Sequence, residues 1–330
     1  MAKEIIVSGV RPTGDLHIGN YLGAIKQFVE LQKKYTTYFF IADLHAINEP
    51  QDPKKLEEQT LEIAALYLAC GLEPSNTTLF LQSHIPEHLE LAHILSTITP
   101  VGELSSMTQY KNKVASGKPA NLGLLAYPAL MAADILIYNA DAVPVGEDQL
   151  QHLEFARTAA RKFNARFGQT FKEPKALIQK SGSRIMGLDD PAKKMSKSAA
   201  SANNYIGMLD SESEIKRKIK IAVTDSGKEI KFNPETKSAI SNLLAIYSQM
   251  ADISIPDLEK KYAGKTYVEF KSDLAETLVK TLSPIQKQYK EFAKDKASVL
   301  KILRDGAERA REIAEATMRD VRAKIGLLEG

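Results

Sequence analysis

Short apolar runs alternating with helical stripes constrain the fold of this chain more than any other feature. Glu4-Ile5-Ile6-Val7-Ser8 is an apolar run stopped by Gly9, and Tyr38-Phe39-Phe40-Ile41-Ala42 and Thr77-Thr78-Leu79-Phe80-Leu81 are two more. Runs this short and this apolar are the mark of strands buried on both faces of a parallel sheet. Between the first two, Leu22, Ile25, Phe28, Val29 and Leu31 recur at helical spacing from Asn20 onward. Between the second and third, Asp52-Pro53 supplies an N-cap and a proline at the first helical position. A stripe of Leu56, Thr60, Ile63, Leu66 and Tyr67 follows, with Gly71 as the stop. Strand–helix–strand order of this kind predicts an α/β fold with right-handed crossovers. Ligands of such sheets sit at the carboxyl ends of the strands. The segments from Gly9 to Gly19 and from Asp43 to His45 fall there.

The rest of the chain reads as additions to that sheet. Residues from about 99 to 179 form a mostly helical insertion, with helices expected over Tyr127–Asn139 and Gln149–Phe167. Two short β-type pieces, Asp141–Val145 and Ala176–Ile178, return to the sheet. Lys193–Asn204 is polar and poor in apolar residues, which predicts a mobile loop. Beyond Tyr205 the pattern is helical, for example over Ala239–Met250, Phe270–Leu282 and Asp295–Ile325. The expected division is a sheet domain over 1–205, including the insertion, and a helical domain over 206–330. The 330 residues are 44% hydrophobic and 26% charged, ordinary for a globular protein with a proper core. A net charge of +3 neither demands nor excludes a nucleic-acid partner. One cysteine, Cys70, rules out an internal disulfide and a cysteine-built metal cluster; it reads as a small core residue. No secretory signal and no apolar span of ~20 residues is visible, so a cytoplasmic protein without a membrane anchor is expected.

Three groups of residues stand out chemically. His17-Ile18-Gly19-Asn20 opens a helix directly after a strand. Exposed N–H groups and the helix dipole there favour a phosphate, and Gly19 admits it without a Cβ in the way. His17 and Asn20 can donate to phosphate oxygens; an ordinary capped helix start is the alternative. Lys194 and Lys197 lie three apart in the serine-flanked loop Lys194-Met195-Ser196-Lys197-Ser198. They are either a solvated charge run or a pair that neutralises phosphate charge. Asp134 sits in an apolar helix, MAADILIY, where a carboxylate is costly unless paired. It is either a structural ion pair or an acceptor for a ligand donor. Met131 lies on the same helix face. His45 is either a satisfied core histidine or a pocket residue. His84, His88, His93 and His152 share no ligand spacing and read as surface or helix-face residues. Lys216-Arg217-Lys218 and Lys220 form a basic patch, either solvated surface or a contact to an RNA backbone.

His17–Asn20 resembles the HIGH element, and Lys194–Ser198 the KMSKS element, of class I aminoacyl-tRNA synthetases. Tyr127-Pro128-Ala129-Leu130-Met131-Ala132-Ala133-Asp134, with Val143-Pro144-Val145-Gly146-Glu147-Asp148-Gln149, resembles the substrate pocket of the tryptophanyl branch. The resemblance runs over essentially the whole chain. It implies a Rossmann-like catalytic domain and a helical C-terminal domain that reads tRNA and its anticodon. It implies that L-tryptophan and ATP, with Mg²⁺ carried on the phosphates, give tryptophanyl-adenylate, and that tRNA(Trp) then takes the tryptophanyl group. Arg11, Pro12, Thr13, Gly19, Asn20, Gly146, Glu147, Asp148, Ile185 and residues 194–198 would bind ATP. His17, Lys194 and Lys197 would be catalytic. Asp134 would accept the indole N–H. Met131, Val7, Val143, Val145 and His45 would form the rest of the pocket, and Tyr127 and Gln149 would hold the α-amino group. No protein metal site is implied. Arg11 stands where many members carry glutamine, but backbone contacts from Arg11 to Thr13 survive that change. Lys111 and Lys113 resemble a segment that reaches the phosphates. Members are two-fold dimers joined through the insertion helices, so a homodimer is expected. The tyrosyl branch shares the layout, but its pocket needs a partner for a phenol and usually a glutamine near the position of Met131.

Overall fold

The computed structural model describes residues 3–328 apart from 13–15, 118–119, 147–148, 179–183 and 198. Five parallel strands form one sheet: β1 (Ile5–Val10), β2 (Thr36–Ile41), β3 (Thr77–Leu81), β4 (Ala142–Val145) and β5 (Lys175–Ile178), in the order β3-β2-β1-β4-β5. The three apolar runs and the two returning pieces are all strands. The order reverses between β1 and β4, the point at which such sheets open a crevice for ligands.

Helix α1 covers 18–31 and includes a π-helical turn at Tyr21–Ile25. Helix α2 (Pro53–Ala69) is capped by the Asp52 carboxylate, which accepts from the backbone N–H of Lys54 and Lys55. Gly71 ends it at φ +103°, a backbone angle that favours glycine. Then come α3 (Glu87–Thr97), α4 (Leu122–Leu136) and α5 (Leu150–Phe167). Helix α4 starts five residues earlier than the sequence pattern predicts. Asn121 caps it by accepting from Leu124, a signal obscured by Gly123 and Pro128 just inside the helix. The C-terminal part holds α6 (Glu212–Ile221), α7 (Ser238–Ala251), α8 (Tyr267–Lys294) and α9 (Lys296–Ile325). Helix α8 runs a dozen residues past Leu282, with Pro284 inside it.

Alternation along the strands splits the core between the two sheet faces. Ile6, Phe39, Ile41 and Leu79 point into a cluster with α1 and α2, and this cluster continues without a break into α7 and α8. Val7, Tyr38, Phe40 and Phe80 point into a second cluster with α3, α4, α5 and the later half of α9. Each such buried side chain stabilises the fold by roughly 1.5–3 kcal/mol relative to exposure.

Helix α9 packs along β3, the edge strand, and so covers an edge that would otherwise invite pairing. The fit is close at one residue. A Cβ on Gly306 would lie 1.9 Å from the Leu79 carbonyl oxygen. Gly306→Ala should therefore push α9 off the strand at a cost of about 1–3 kcal/mol, lowering the midpoint of thermal unfolding by several degrees. An unchanged midpoint would show that α9 is not seated on this strand in solution.

Candidate active site

The crevice at the reversal point is a cavity of about 460 Å³, a size typical of small-molecule sites. All eight residues expected to hold the amino acid line it: Val7, His45, Tyr127, Met131, Asp134, Val143, Val145 and Gln149. Val7 comes from β1, Val143 and Val145 from β4, and Tyr127, Met131 and Asp134 from α4. Arg11 lines it too. The sequence reading missed Phe40 as a wall residue. It faces the cavity because Gly9, its partner in register on β1, has no side chain. A Cβ on Gly9 would lie 2.3 Å from the Phe40 ring.

At the cavity floor Asp134 is 2% exposed. His45 Nε2 lies 2.8 Å from Oδ2 and His88 Nδ1 2.6 Å from Oδ1, and the Gln82 side-chain amide donates to both oxygens at 2.8 and 2.9 Å. Burial pushes this carboxyl upward, but the hydrogen bonds and charges of His45 and His88 outweigh it and lower the pKa to about 2. The buried acid is thus an ion held by donors. His45 is both a satisfied histidine and a pocket residue. His88 and His152 are corrections: they lie on helix faces but not at the surface, at 0% and 2% exposure. His88 also reaches the Tyr138 hydroxyl at 2.6 Å. His152 Nε2 bonds the Tyr127 hydroxyl, which also donates to Gln109 Oε1 at 3.0 Å. Burial, opposed by the charge of Arg11, raises Tyr127 to about 12, so it stays a phenol.

At the cavity rim Lys113 pairs with Glu49 at 2.5 Å, and both line the space. Lys111 is exposed on the neighbouring helix Thr108–Ala115.

Next to the cavity, His17 is the N-cap of α1. Its Nδ1 accepts from the Gly19 N–H at 3.1 Å, and Asn20 Oδ1 accepts from the His17 N–H at 3.1 Å. The capped-start reading is therefore correct as geometry, and it leaves His17 Nε2 and Asn20 Nδ2 as outward donors. Burial and the charge of Lys194 lower the His17 pKa to about 4, so the ring is neutral near pH 7. Ile185 packs against this turn; a Cβ on Gly19 would lie 3.7 Å from the Ile185 Cβ. The Ile185 carbonyl accepts from Met195 at 3.0 Å, and Met186 and Lys194 form a short antiparallel bridge. Met195 is buried and the Ser196 N–H donates to Asn204 Oδ1. The loop is thus anchored by its methionine, with Lys194 and Lys197 exposed and Lys194 close enough to His17 to act on its charge. Pro12 is buried and Gly146 exposed, the latter accepting from the Gln149 N–H at 3.0 Å. Thr13, Glu147, Asp148 and Ser198 lie outside the described residues.

The basic patch on α6 is mostly paired. Lys218 is 3% exposed, bonded to Asp210 at 2.7 Å and seated over the Tyr205 ring. Lys216 and Arg217 pair with Glu212 and Glu214. Lys218 is therefore a structural residue and not an RNA contact.

The low pKa of His17 gives a stability prediction. Between about pH 6.5 and 4 the unfolded chain binds a proton at this position that the folded chain refuses. Stability therefore falls as pH drops through that window. His84, also lowered by burial, acts in the same direction. Chemical denaturation of the wild type and His17→Asn should show a shallower pH dependence for the variant over that window, and parallel curves would contradict the assignment. Asp134 would act only below about pH 4, where its contribution is lost as the carboxyl is protonated.

Residues 2–283 match the family of class I tRNA synthetases (W and Y). The chain belongs to that family. It is 50% identical over 323 residues to the tryptophan–tRNA ligase of Caldanaerobacter subterraneus subsp. tengcongensis, covering 98% of each chain. Among solved structures it resembles tryptophanyl-tRNA synthetase from Mycoplasma pneumoniae at 34% identity and a TM-score of 0.90, covering 99% of both chains. It also resembles the Campylobacter jejuni enzyme complexed with ADP and tryptophan, at 39% identity and a TM-score of 0.84, covering 98% of this chain and 100% of that one. The family is thus the one its two motif segments resemble. Among the described residues, no helix is long and apolar enough to cross a membrane.

Proposed function

We propose that this chain activates L-tryptophan with ATP to tryptophanyl-adenylate and pyrophosphate, then transfers the tryptophanyl group to tRNA(Trp). The observation that carries this reading is the buried, ionised Asp134 at the floor of an apolar cavity at the carboxyl ends of β1 and β4. Indole N–H is a donor only, and a carboxylate kept ionised is an acceptor only, so the two match. Met131, Val7, Val143 and Val145 supply flat apolar walls, and Tyr127 and Gln149 hold the α-amino group. A phenol is a ring shorter than an indole and carries an acceptor oxygen, which the thioether of Met131 cannot donate to.

The substrate carboxylate is the nucleophile. One of its oxygens bonds the α-phosphorus as the bond to the β-phosphate oxygen breaks, and pyrophosphate leaves. No protein nucleophile is needed; alignment and charge stabilisation suffice. Neutral His17 donates through Nε2 and Asn20 through Nδ2 to phosphate oxygens, and Gly19 admits them closely. Arg11, Pro12 and Thr13 are further ATP-binding residues in this reading. The backbone at Ile185 reads adenine, Met195, Ser196 and Ser198 belong to the ATP-binding loop, and Gly146, Glu147 and Asp148 take the ribose. Lys194 and Lys197 neutralise the departing pyrophosphate. Mg²⁺ enters as MgATP, held by the phosphates. Residues 1–205 make up the catalytic domain and 206–330 the helical tRNA- and anticodon-binding domain. Exposed Val101, Val114 and Leu122 on the insertion suit a homodimer interface, and the work is done in the cytoplasm.

The chain contains no tryptophan, so bound ligand is the only indole fluorophore. Titration excited beyond the tyrosine band should show saturable binding of L-tryptophan that L-tyrosine does not displace. Displacement by tyrosine at equal concentration would overturn the assignment.

A further inference from the structure

Asp134 meets its partners from two sides. His45 lines the cavity, whereas Gln82 and His88 do not; they approach the carboxylate from the protein interior, each at 0% exposure. A carboxylate offers about four acceptor positions. Oδ1 takes His88 and Gln82, and Oδ2 takes Gln82 and His45. The interior donors therefore fix the plane of the carboxylate, and the cavity side keeps only His45 as a contact that a ligand N–H can join or replace.

His88 is itself held. Its Nε2 lies 2.6 Å from the hydroxyl of Tyr138, which is fully buried and stacks on Tyr38 at 4.9 Å between ring centres. The Tyr138 phenol stays protonated, since burial and then the Asp134 charge push it well up. A phenol O–H donating to Nε2 leaves the imidazole proton on Nδ1, where it points at Asp134. All three groups are then satisfied, with the tautomer set from behind. This is the arrangement by which outer partners orient a working side chain.

We propose that His88 is a positioning residue for substrate recognition: the chain Tyr138–His88–Asp134 holds the carboxylate ionised and turned toward the cavity so that it accepts the substrate N–H. The proposal rests on the reading of Asp134 as the indole acceptor. The effect belongs to substrates that carry an N–H, and a general packing role would not discriminate between substrates in that way.

The test compares L-tryptophan with benzothienylalanine, in which sulfur replaces the N–H on a ring of nearly the same shape. ATP–pyrophosphate exchange is measured with both, on the full chain. Wild type should prefer tryptophan in kcat/KM. His88→Leu should reduce that preference by about tenfold, the value of one hydrogen bond to a charged group, through a higher KM for tryptophan with kcat nearly kept. Benzothienylalanine constants should hardly change. His88→Asn, whose amide N–H can take the place of Nδ1–H, should recover most of the preference. Tyr138→Phe, which removes only the hydroxyl and is the variant most certain to fold, should shift it the same way by a smaller factor. If His88→Leu and Tyr138→Phe lower both substrates equally, or leave the ratio unchanged, the positioning role is wrong while the acceptor reading stands. If wild type itself shows no preference for tryptophan, the acceptor reading fails and the proposal with it.

Discussion

Replacing Lys194 by alanine is expected to slow adenylate formation by about two to three orders of magnitude, the effect of removing one preorganised electrostatic donor, while ATP binding weakens far less. The expectation comes from where the charge appears. Negative charge builds on the α-phosphate and the leaving pyrophosphate as the carboxylate attacks. An ammonium group that meets this charge in the transition state raises the rate without tightening the ground state. Lys194 is exposed, at the end of a short bridge pinned by buried Met195 and close enough to His17 to depress its pKa. The loop thus has a fixed root and a charged outer face, suited to closing over a bound nucleotide. Lys197, exposed three residues further along the loop, should behave alike. Transfer from preformed tryptophanyl-adenylate to tRNA occurs after pyrophosphate has gone and should suffer less. Single-turnover activation measured beside single-turnover transfer separates the two steps. An equal loss in both, or a change confined to ATP affinity, would make the loop a binding clamp.

The second large effect is expected at Asp134. Asp134→Ala removes the acceptor and leaves His45, His88 and Gln82 with buried donors facing a void. Activity with tryptophan should fall by about ten- to a hundredfold in kcat/KM, with the ATP constant little changed. Stability should fall as well, by about 3–5 kcal/mol, because a buried charged network loses its centre. Asp134→Asn keeps one acceptor oxygen and should be milder on both counts. Thermal unfolding run beside exchange kinetics distinguishes a folded enzyme with poor recognition from a collapsed one. A folded Asp134→Ala protein with wild-type tryptophan kinetics would remove Asp134 from the site.

Much of this site was legible in the sequence because its parts lie on continuous segments. Asp134 stands out as a carboxylate in an apolar helix and Met131 shares its face three residues earlier, whereas Val7, Val143 and Val145 are ordinary strand residues that only the family resemblance assigns to a pocket. The structure brings all of them to one cavity. The support behind them was not legible. Gln82, in the turn after β3, and His88, on α3 packed against α4, reach Asp134 across 52 and 46 residues of chain, a meeting that no local spacing encodes. Nothing marked His88 apart from His84 and His93, since a buried and a solvated histidine look alike on a helix. Phe40 was readable as a buried strand residue, but its place on the cavity wall depends on the missing side chain of Gly9 across the sheet. Lys218 failed in the opposite direction: a run of cations suggested a surface, and Asp210 on the preceding segment took one of them inside. The fold's sheet was legible for a simpler reason. Strands buried on both faces must be apolar throughout, and few other structures write so plain a pattern.

The central claim is that the cavity selects tryptophan for activation by ATP. It is tested most directly by ATP–pyrophosphate exchange with tryptophan, with tyrosine and with no amino acid. Exchange should be strong with tryptophan and near background in the other two, because a cavity walled by Val7, Met131, Val143 and Val145 around one acceptor fits the bicyclic indole with its N–H, and a phenol is the wrong shape to place its hydroxyl there. Faster exchange with tyrosine, or exchange that needs no amino acid, would contradict it.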